Sequence, residues 1–179
     1  ETGDLVDEVA GQLPSLGHIL RVPYLQQGGG TNAELFEYTP MPITFTRIGF
    51  NDPLFVVFSS GTTGVPKCII HRAGGVVLQH LKEHQLHCDL RPDDRLFYFT
   101  TCGWMMWNWL VSGLASGASI VLFDGAPTYP DNDTLWQMSQ DLGITHFGTS
   151  AKYIDGLRKA GWHGKGRFDL SNLRMILST

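Results

Sequence analysis

Nine consecutive residues carry the clearest chemistry in this sequence. Ser59-Ser60-Gly61-Thr62-Thr63-Gly64-Val65-Pro66-Lys67 follows directly on the apolar run Pro53-Leu54-Phe55-Val56-Val57-Phe58. A short run of large apolar residues predicts a buried strand, after which the chain enters hydroxyls and glycines. Gly61 and Gly64 allow a tight turn that brings backbone N–H groups close to a ligand. Ser59, Ser60, Thr62 and Thr63 add hydroxyl donors, and Lys67 adds a positive charge on a long, mobile stem. Phosphate oxygens need many donors and a counter-charge, so the stretch reads as a nucleotide-phosphate loop. The alternative is an ordinary Ser/Gly-rich connection from a strand to a helix.

The loop is not of the Walker type, which places glycine before the lysine and Ser or Thr after it. Here Pro66 precedes Lys67 and Cys68 follows it. A second constellation is His80-Leu81-Lys82-Glu83-His84, with His87 beyond it. On a helix, positions i, i+4 and i+7 share one face, and H-x-x-E-H is also a zinc-hydrolase pattern. Only three of its positions are specified. The competing reading is a polar helix flank with hydrogen-bonding histidines, and we assign no metal ligand.

Two elements must position the loop, and composition limits what surrounds them. At 179 residues with 42% hydrophobic content, the chain suits one globular core and argues against disorder. A net charge of −4 argues against nucleic-acid binding. Cys68, Cys88 and Cys102 form no CxxC pair, which fits a reducing, cytoplasmic setting better than a disulfide framework. The chain starts without Met and stops on the apolar pair Ile176-Leu177 before Ser178-Thr179. We therefore expect both ends to be cuts in a longer protein, whose remaining part would be a partner of this one.

Along the chain, Leu5, Val6, Val9 and Leu13 sit at helical spacing, with Asp4 as a candidate cap. Residues 17–24 predict a strand, 26–31 a glycine-rich loop, and 32–52 an irregular stretch. Residues 1–50 thus lead into a phosphate-loop-containing α/β segment, 51–179. Beyond the loop, 74–90 predicts one long helix. Residues 96–123 contain no charge and include Gly113-Leu114-Ala115-Ser116-Gly117, which superficially suggests a membrane span. Its threonines, serines and Asn108 fit better with strand 96–100, helix 104–115, a turn at Gly117 and strand 118–123. Asn132 or Asp133 would cap a helix ending at Gly143, followed by strand 144–149, helix 150–160 and a last strand, 174–177. Alternating strands and helices predict an α/β fold with a largely parallel sheet flanked by helices. Ligands then sit beyond the carboxyl ends of the strands, where 59–67, 101–106 and 148–151 are expected.

Every position of residues 59–67 matches the phosphate-binding signature of the adenylate-forming superfamily, which the chain from about residue 51 resembles. Phe58 to Gly64, His80-Leu81-Lys82-Glu83-His84 and Gly103-Trp104-Met105-Met106-Trp107-Asn108-Trp109 make the likeness greatest to its acetoacetate-activating acyl-CoA synthetases. The resemblance implies a partial N-terminal domain of an enzyme that uses ATP, Mg2+, CoA and a small carboxylic acid. It also implies a two-step reaction through an acyl-adenylate. Another short-chain acid, such as acetate, is the alternative substrate, and a non-catalytic nucleotide-binding module the alternative function. On this resemblance Ser59, Ser60, Gly61, Thr62, Thr63, Gly64 and Lys67 bind the ATP phosphates, Lys67 acting in catalysis. Trp104, Met105 and Met106 shape the acid pocket. The family's adenine, ribose and magnesium-linked residues and its C-terminal lysine are not found here, so the isolated piece is expected to be inactive.

Overall fold

The computed structural model describes residues 2–19, 39–59 and 64–179. They fall into two units, Glu1–Thr46 and Arg47–Thr179. In the first, α1 (Thr2–Gly11) is the expected helix, with Asp4 inside its first turn rather than capping it. Residues 17–19 lie in no strand. The rest of the strand expected at 17–24, and the glycine-rich loop at 26–31, lie outside the described residues.

The second unit opens with a departure from expectation. Strand β1 (Pro53–Ser59) pairs antiparallel with β2 (Lys67–Arg72), a strand that the residue pattern did not predict. The two form a sheet of their own, separate from the parallel one. The apolar run is therefore a strand but not a buried one: Phe58 is 66% exposed, and Leu54 and Val56 are exposed beside it. Residues 59–67 accordingly connect two antiparallel strands and do not end a strand of the parallel sheet.

Helix α2 (Ala73–Leu81) follows β2 without a loop, and a π-helical turn, Lys82–His87, extends it. The long helix expected at 74–90 is thus two pieces of different pitch. The wider turn is fixed by the Cys88 amide donating to the Glu83 carbonyl at 2.9 Å. Next come β3 (Arg95–Tyr98), α3 (Met105–Ser112), a 3-10 turn, and β4 (Ser119–Val121) parallel to β3. This is the predicted β-α-β unit. Gly113 lies close against β3, where a Cβ would come within 2.7 Å of Leu96 Cδ2 and force that side chain to shift. Its place in the GxxxG pattern thus reflects helix-on-strand packing in this fold. No helix among the described residues is long and apolar enough to cross a membrane.

α4 (Thr134–Asp141), β5 (His146–Thr149), α5 (Ala151–Lys159) and β6 (Met175–Ser178) complete the unit. The sheet is parallel, in the order β4-β3-β5-β6. Asp133 stands at the N-cap of α4 without a side-chain capping bond. Its carboxylate instead accepts from Trp162 Nε1 at 2.7 Å and from Arg167. Ser150 caps α5, its Oγ accepting from the Tyr153 amide.

Side chains alternate across a strand, and β3 shows what that does. Leu96 and Tyr98 pack with Met106, Trp109 and Leu110, while Phe97 packs on the other side with Phe147, Leu135 and Trp136. Strands covered on both faces read as continuous apolar runs, which is why 96–99 carries no polar residue. Burying each phenylalanine contributes about 1.5–3 kcal/mol. At the opposite ends of the strands, Asp94 accepts two 2.8 Å bonds from Arg174 and one from the Arg91 amide. His146 lies beside this pair and its Nε2 bonds the Cys88 carbonyl at 2.8 Å.

Candidate active site

The β1–β2 ladder ends with Ser59 paired to Lys67. The first and last residues of the signature are therefore held opposite each other. Gly64 has φ +145, a conformation that side-chain-bearing residues rarely adopt. Lys67 is exposed and Ser59 half-buried. Ser60, Gly61, Thr62 and Thr63 lie outside the described residues.

Two neighbouring cavities open on the parallel-sheet side. The larger, about 680 Å³, runs between α2 and its π-helical turn, the first turns of α3, Tyr98 on β3 and the end of β6. Met105, Met106 and Trp109 line it from α3, and Gln79, His80 and Glu83 from the helix opposite. Small-molecule sites span roughly 300–1,000 Å³, so it is large enough to bind one. The second, about 520 Å³, lies at the carboxyl ends of β3, β5 and β6, lined by Thr101, Trp104, Met106, Ser150, Lys152 and Thr179. Tyr98, Met106 and Thr179 border both. The Tyr98 hydroxyl donates to the Thr149 carbonyl at 3.2 Å, which leaves the Thr179 hydroxyl, 3.1 Å away, to donate to it.

Of the segments expected at the carboxyl ends of the strands, 101–106 and 148–151, the structure brings Thr101, Trp104, Met106 and Ser150 together around the second cavity, with Lys152 beside them. The hairpin reaches the larger cavity through Ile70, His71 and Arg72 of β2, whereas Ser59, Gly64 and Lys67, at its other end, line neither cavity. Met106 is 7% exposed and belongs to the core, whereas Met105 is 46% exposed at the cavity edge. Trp104, expected to wall the acid pocket, borders the second cavity and is exposed.

The histidine constellation is tied into helix packing. Glu83 accepts from Trp109 Nε1 at 2.7 Å with one carboxylate oxygen and from Gln79 Nε2 with the other. Ser112 Oγ lies 2.7 Å from the Trp109 carbonyl, which can only accept. With its proton so used, Ser112 accepts from His80 Nδ1 at 2.8 Å. His84 is fully buried with its ring 4.2 Å from that of Trp109. Burial, helped by the neighbouring His80 and opposed by Glu83, pushes His84 down to about 4. Burial also lowers His80. His87 is exposed, and it lines the same cavity as His80 and Glu83.

A family model described as "AMP-binding enzyme" matches residues 6–179. The chain belongs to the AMP-binding enzyme family. Among its relatives in this family, the acetoacetyl-coenzyme A synthetase of Rhizobium meliloti (strain 1021) is 55% identical over 154 residues, covering 86% of this chain and 24% of that protein. The Mus musculus acetoacetyl-CoA synthetase is 47% identical over 156 residues, covering 87% and 22%. The solved acetoacetyl-CoA synthetase from Streptomyces lividans superposes with a TM-score of 0.86 at 41% identity, over 99% of this chain and 28% of that one. The chain therefore spans about a quarter of the length of these AMP-binding enzymes. Within it, the Glu83–Trp109 bond escaped sequence reasoning. The H-x-x-E-H pattern drew attention to Glu83 for metal chemistry, and nothing local linked it to a tryptophan 26 positions later.

Proposed function

We propose that this chain is part of an acetoacetate–CoA ligase, which joins acetoacetate to CoA with conversion of ATP to AMP and pyrophosphate. The observation that carries the reading is the 55% identity to an acetoacetyl-coenzyme A synthetase across most of the chain. The acid carboxylate attacks the α-phosphate of ATP, giving acetoacetyl-adenylate and pyrophosphate, and the CoA thiol then displaces AMP. Such transfers depend on neutralising and positioning charge more than on covalent help from the protein. Lys67 and the donors of residues 59–64 hold the β- and γ-phosphates, which depart together. The hairpin supports this role, since pairing Ser59 with Lys67 closes the loop at its base.

The larger cavity takes the acid, with Met105 and Met106 on its wall and Trp104 at the adjoining space where the carboxyl ends of the strands meet. Methionine adapts its shape, so it can close around a short acid. Mg2+ would accompany the ATP phosphates. Among the described residues no group of three or more His, Cys, Asp or Glu side chains could hold a metal ion, so none is assigned to it here. Adenine, ribose and the rest of the protein complete the site. The three cysteines are free, which supports a cytoplasmic location.

The test is acid-dependent pyrophosphate exchange by the full-length protein with acetoacetate, acetate and butyrate. Acetoacetate is expected to give the highest kcat/KM. A tenfold preference for another acid would overturn the substrate, and no exchange with any acid would overturn the ligase reading.

A further inference from the structure

A cavity tells acids apart by length only where the wall they reach stands still, and α3 supplies part of the wall of the larger cavity. Trp109 presents the bulkiest such wall. It is 6% exposed, packed against the His84 ring at 4.2 Å and edge-on to Tyr98 at 5.9 Å. An indole in apolar surroundings needs a partner for its N–H, and an ionised carboxylate makes a stronger one than a neutral acceptor. We propose that Glu83 is a specificity-determining positioning residue: it holds the Trp109 indole as the fixed far wall of the acid pocket and so sets the longest acid accepted. This rests on the reading of the cavity as the acid pocket.

Three observations support it. The bond is short and well placed, 2.7 Å from Nε1 to Oε2, and spans the cavity wall from α2's extension to α3. Glu83 is itself fixed, because Gln79, one turn earlier, donates to its other oxygen. And Glu83 lies within the π-helical turn, a widening of the kind that recurs at functional sites. Glu83 has no evident task in phosphate chemistry, since it sits on the helix beyond the hairpin. Without its acceptor the indole N–H faces the cavity unsatisfied, and the ring gains other rotamers that leave the boundary undefined.

The experiment compares the full-length enzyme with its Glu83→Ala, Glu83→Gln and Trp109→Phe variants. Pyrophosphate release gives kcat and KM for acetoacetate, butyrate and hexanoate. Fluorine NMR of 5-fluorotryptophan-labelled protein, with the Trp109 signal identified by its loss in Trp109→Phe, reports the ring directly. Glu83→Ala is expected to raise hexanoate over butyrate at least tenfold in kcat/KM. It should act on acetoacetate mainly through KM, and shift and broaden the Trp109 signal. Glu83→Gln keeps an oxygen acceptor and is expected to retain the discrimination and a sharp signal. An unaltered acid ratio in a folded Glu83→Ala protein, or an equal change in Glu83→Gln, overturns the proposal. If Glu83→Ala does not fold, Trp109→Phe decides, and an unaltered ratio there overturns it as well. An enzyme that activates no acid overturns the functional reading instead, and a sharp, unshifted Trp109 signal in Glu83→Ala then overturns the positioning role separately.

Discussion

Ser59 and Lys67 face each other as the last paired residues of the β1–β2 hairpin, so the ends of the phosphate signature are held together by the strand ladder. Lys67 is thereby anchored by strand pairing, and on the proposed function the pyrophosphate it would hold leaves before CoA attacks. Lys67→Ala in the full-length enzyme is expected to slow adenylate formation by about 10²–10³, the usual effect of losing one electrostatic donor, or on the order of 2.7–4 kcal/mol. Thioester formation from supplied acyl-adenylate should suffer far less. Rapid-quench assays of the two half-reactions check this, and equal slowing of both would remove Lys67 from its assigned role.

Met105 and Met106 are neighbours with different surroundings, and their alanine variants should separate. Met106 is packed with Trp109 and Leu110, so Met106→Ala is expected to cost about 2–5 kcal/mol of stability through the cavity left behind. Met105 is 46% exposed at the cavity, so Met105→Ala should cost little stability and shift the order of preferred acids towards longer ones. Melting temperatures and kcat/KM across acetate, acetoacetate, butyrate and a branched acid measure both effects. An unchanged order of acids in Met105→Ala would show that it does not shape the pocket.

His84 makes stability depend on pH. It is fully buried and pushed down to about 4, while in the unfolded chain it titrates near 6.5. Between those values the unfolded state binds the extra proton, so stability is fully present above about 6.5 and is lost as pH falls towards 4. The loss is on the order of 3 kcal/mol. Urea unfolding at pH 7, 5.5 and 4 should show it, and His84→Phe should flatten that part of the profile. A wild-type slope retained in the variant would assign the dependence to other groups.

Asp94 works in the opposite structural sense. Burial pushes its carboxyl up, but Arg174, the Arg91 amide and the Thr145 hydroxyl outweigh this and hold it below the usual range. Its stabilisation is present above the ordinary carboxylate value and is lost only as pH falls through the lowered one. Arg174→Ala should cost about 1–3 kcal/mol at pH 7, because it leaves a buried carboxylate short of two bonds. It should also move acid unfolding to higher pH. Circular dichroism along an acid titration reads the midpoint, and a midpoint unmoved by Arg174→Ala would contradict the assignment.

The alternation of apolar strands with helices from 95 to 178 was legible in the residues, because strands buried on both faces must be continuously apolar while helices carry apolar residues at a longer period. The phosphate signature was legible for a similar reason, since a loop suited to phosphate needs glycines, hydroxyls and a cation in close succession, as Ser59 to Gly64 and Lys67 supply. The residues of β2 were not. Lys67-Cys68-Ile69-Ile70-His71-Arg72 has no alternation to announce a strand, and it becomes one only through its hydrogen bonds to β1. Nor could the pattern place Glu83. The H-x-x-E-H pattern grouped it with His80 and His84, whereas in the fold its carboxylate accepts from an indole on another helix, Trp109. Local sequence governs which groups can hydrogen-bond and which elements form, while the partner of a buried carboxylate is chosen by which side chain the fold brings within 3 Å of it.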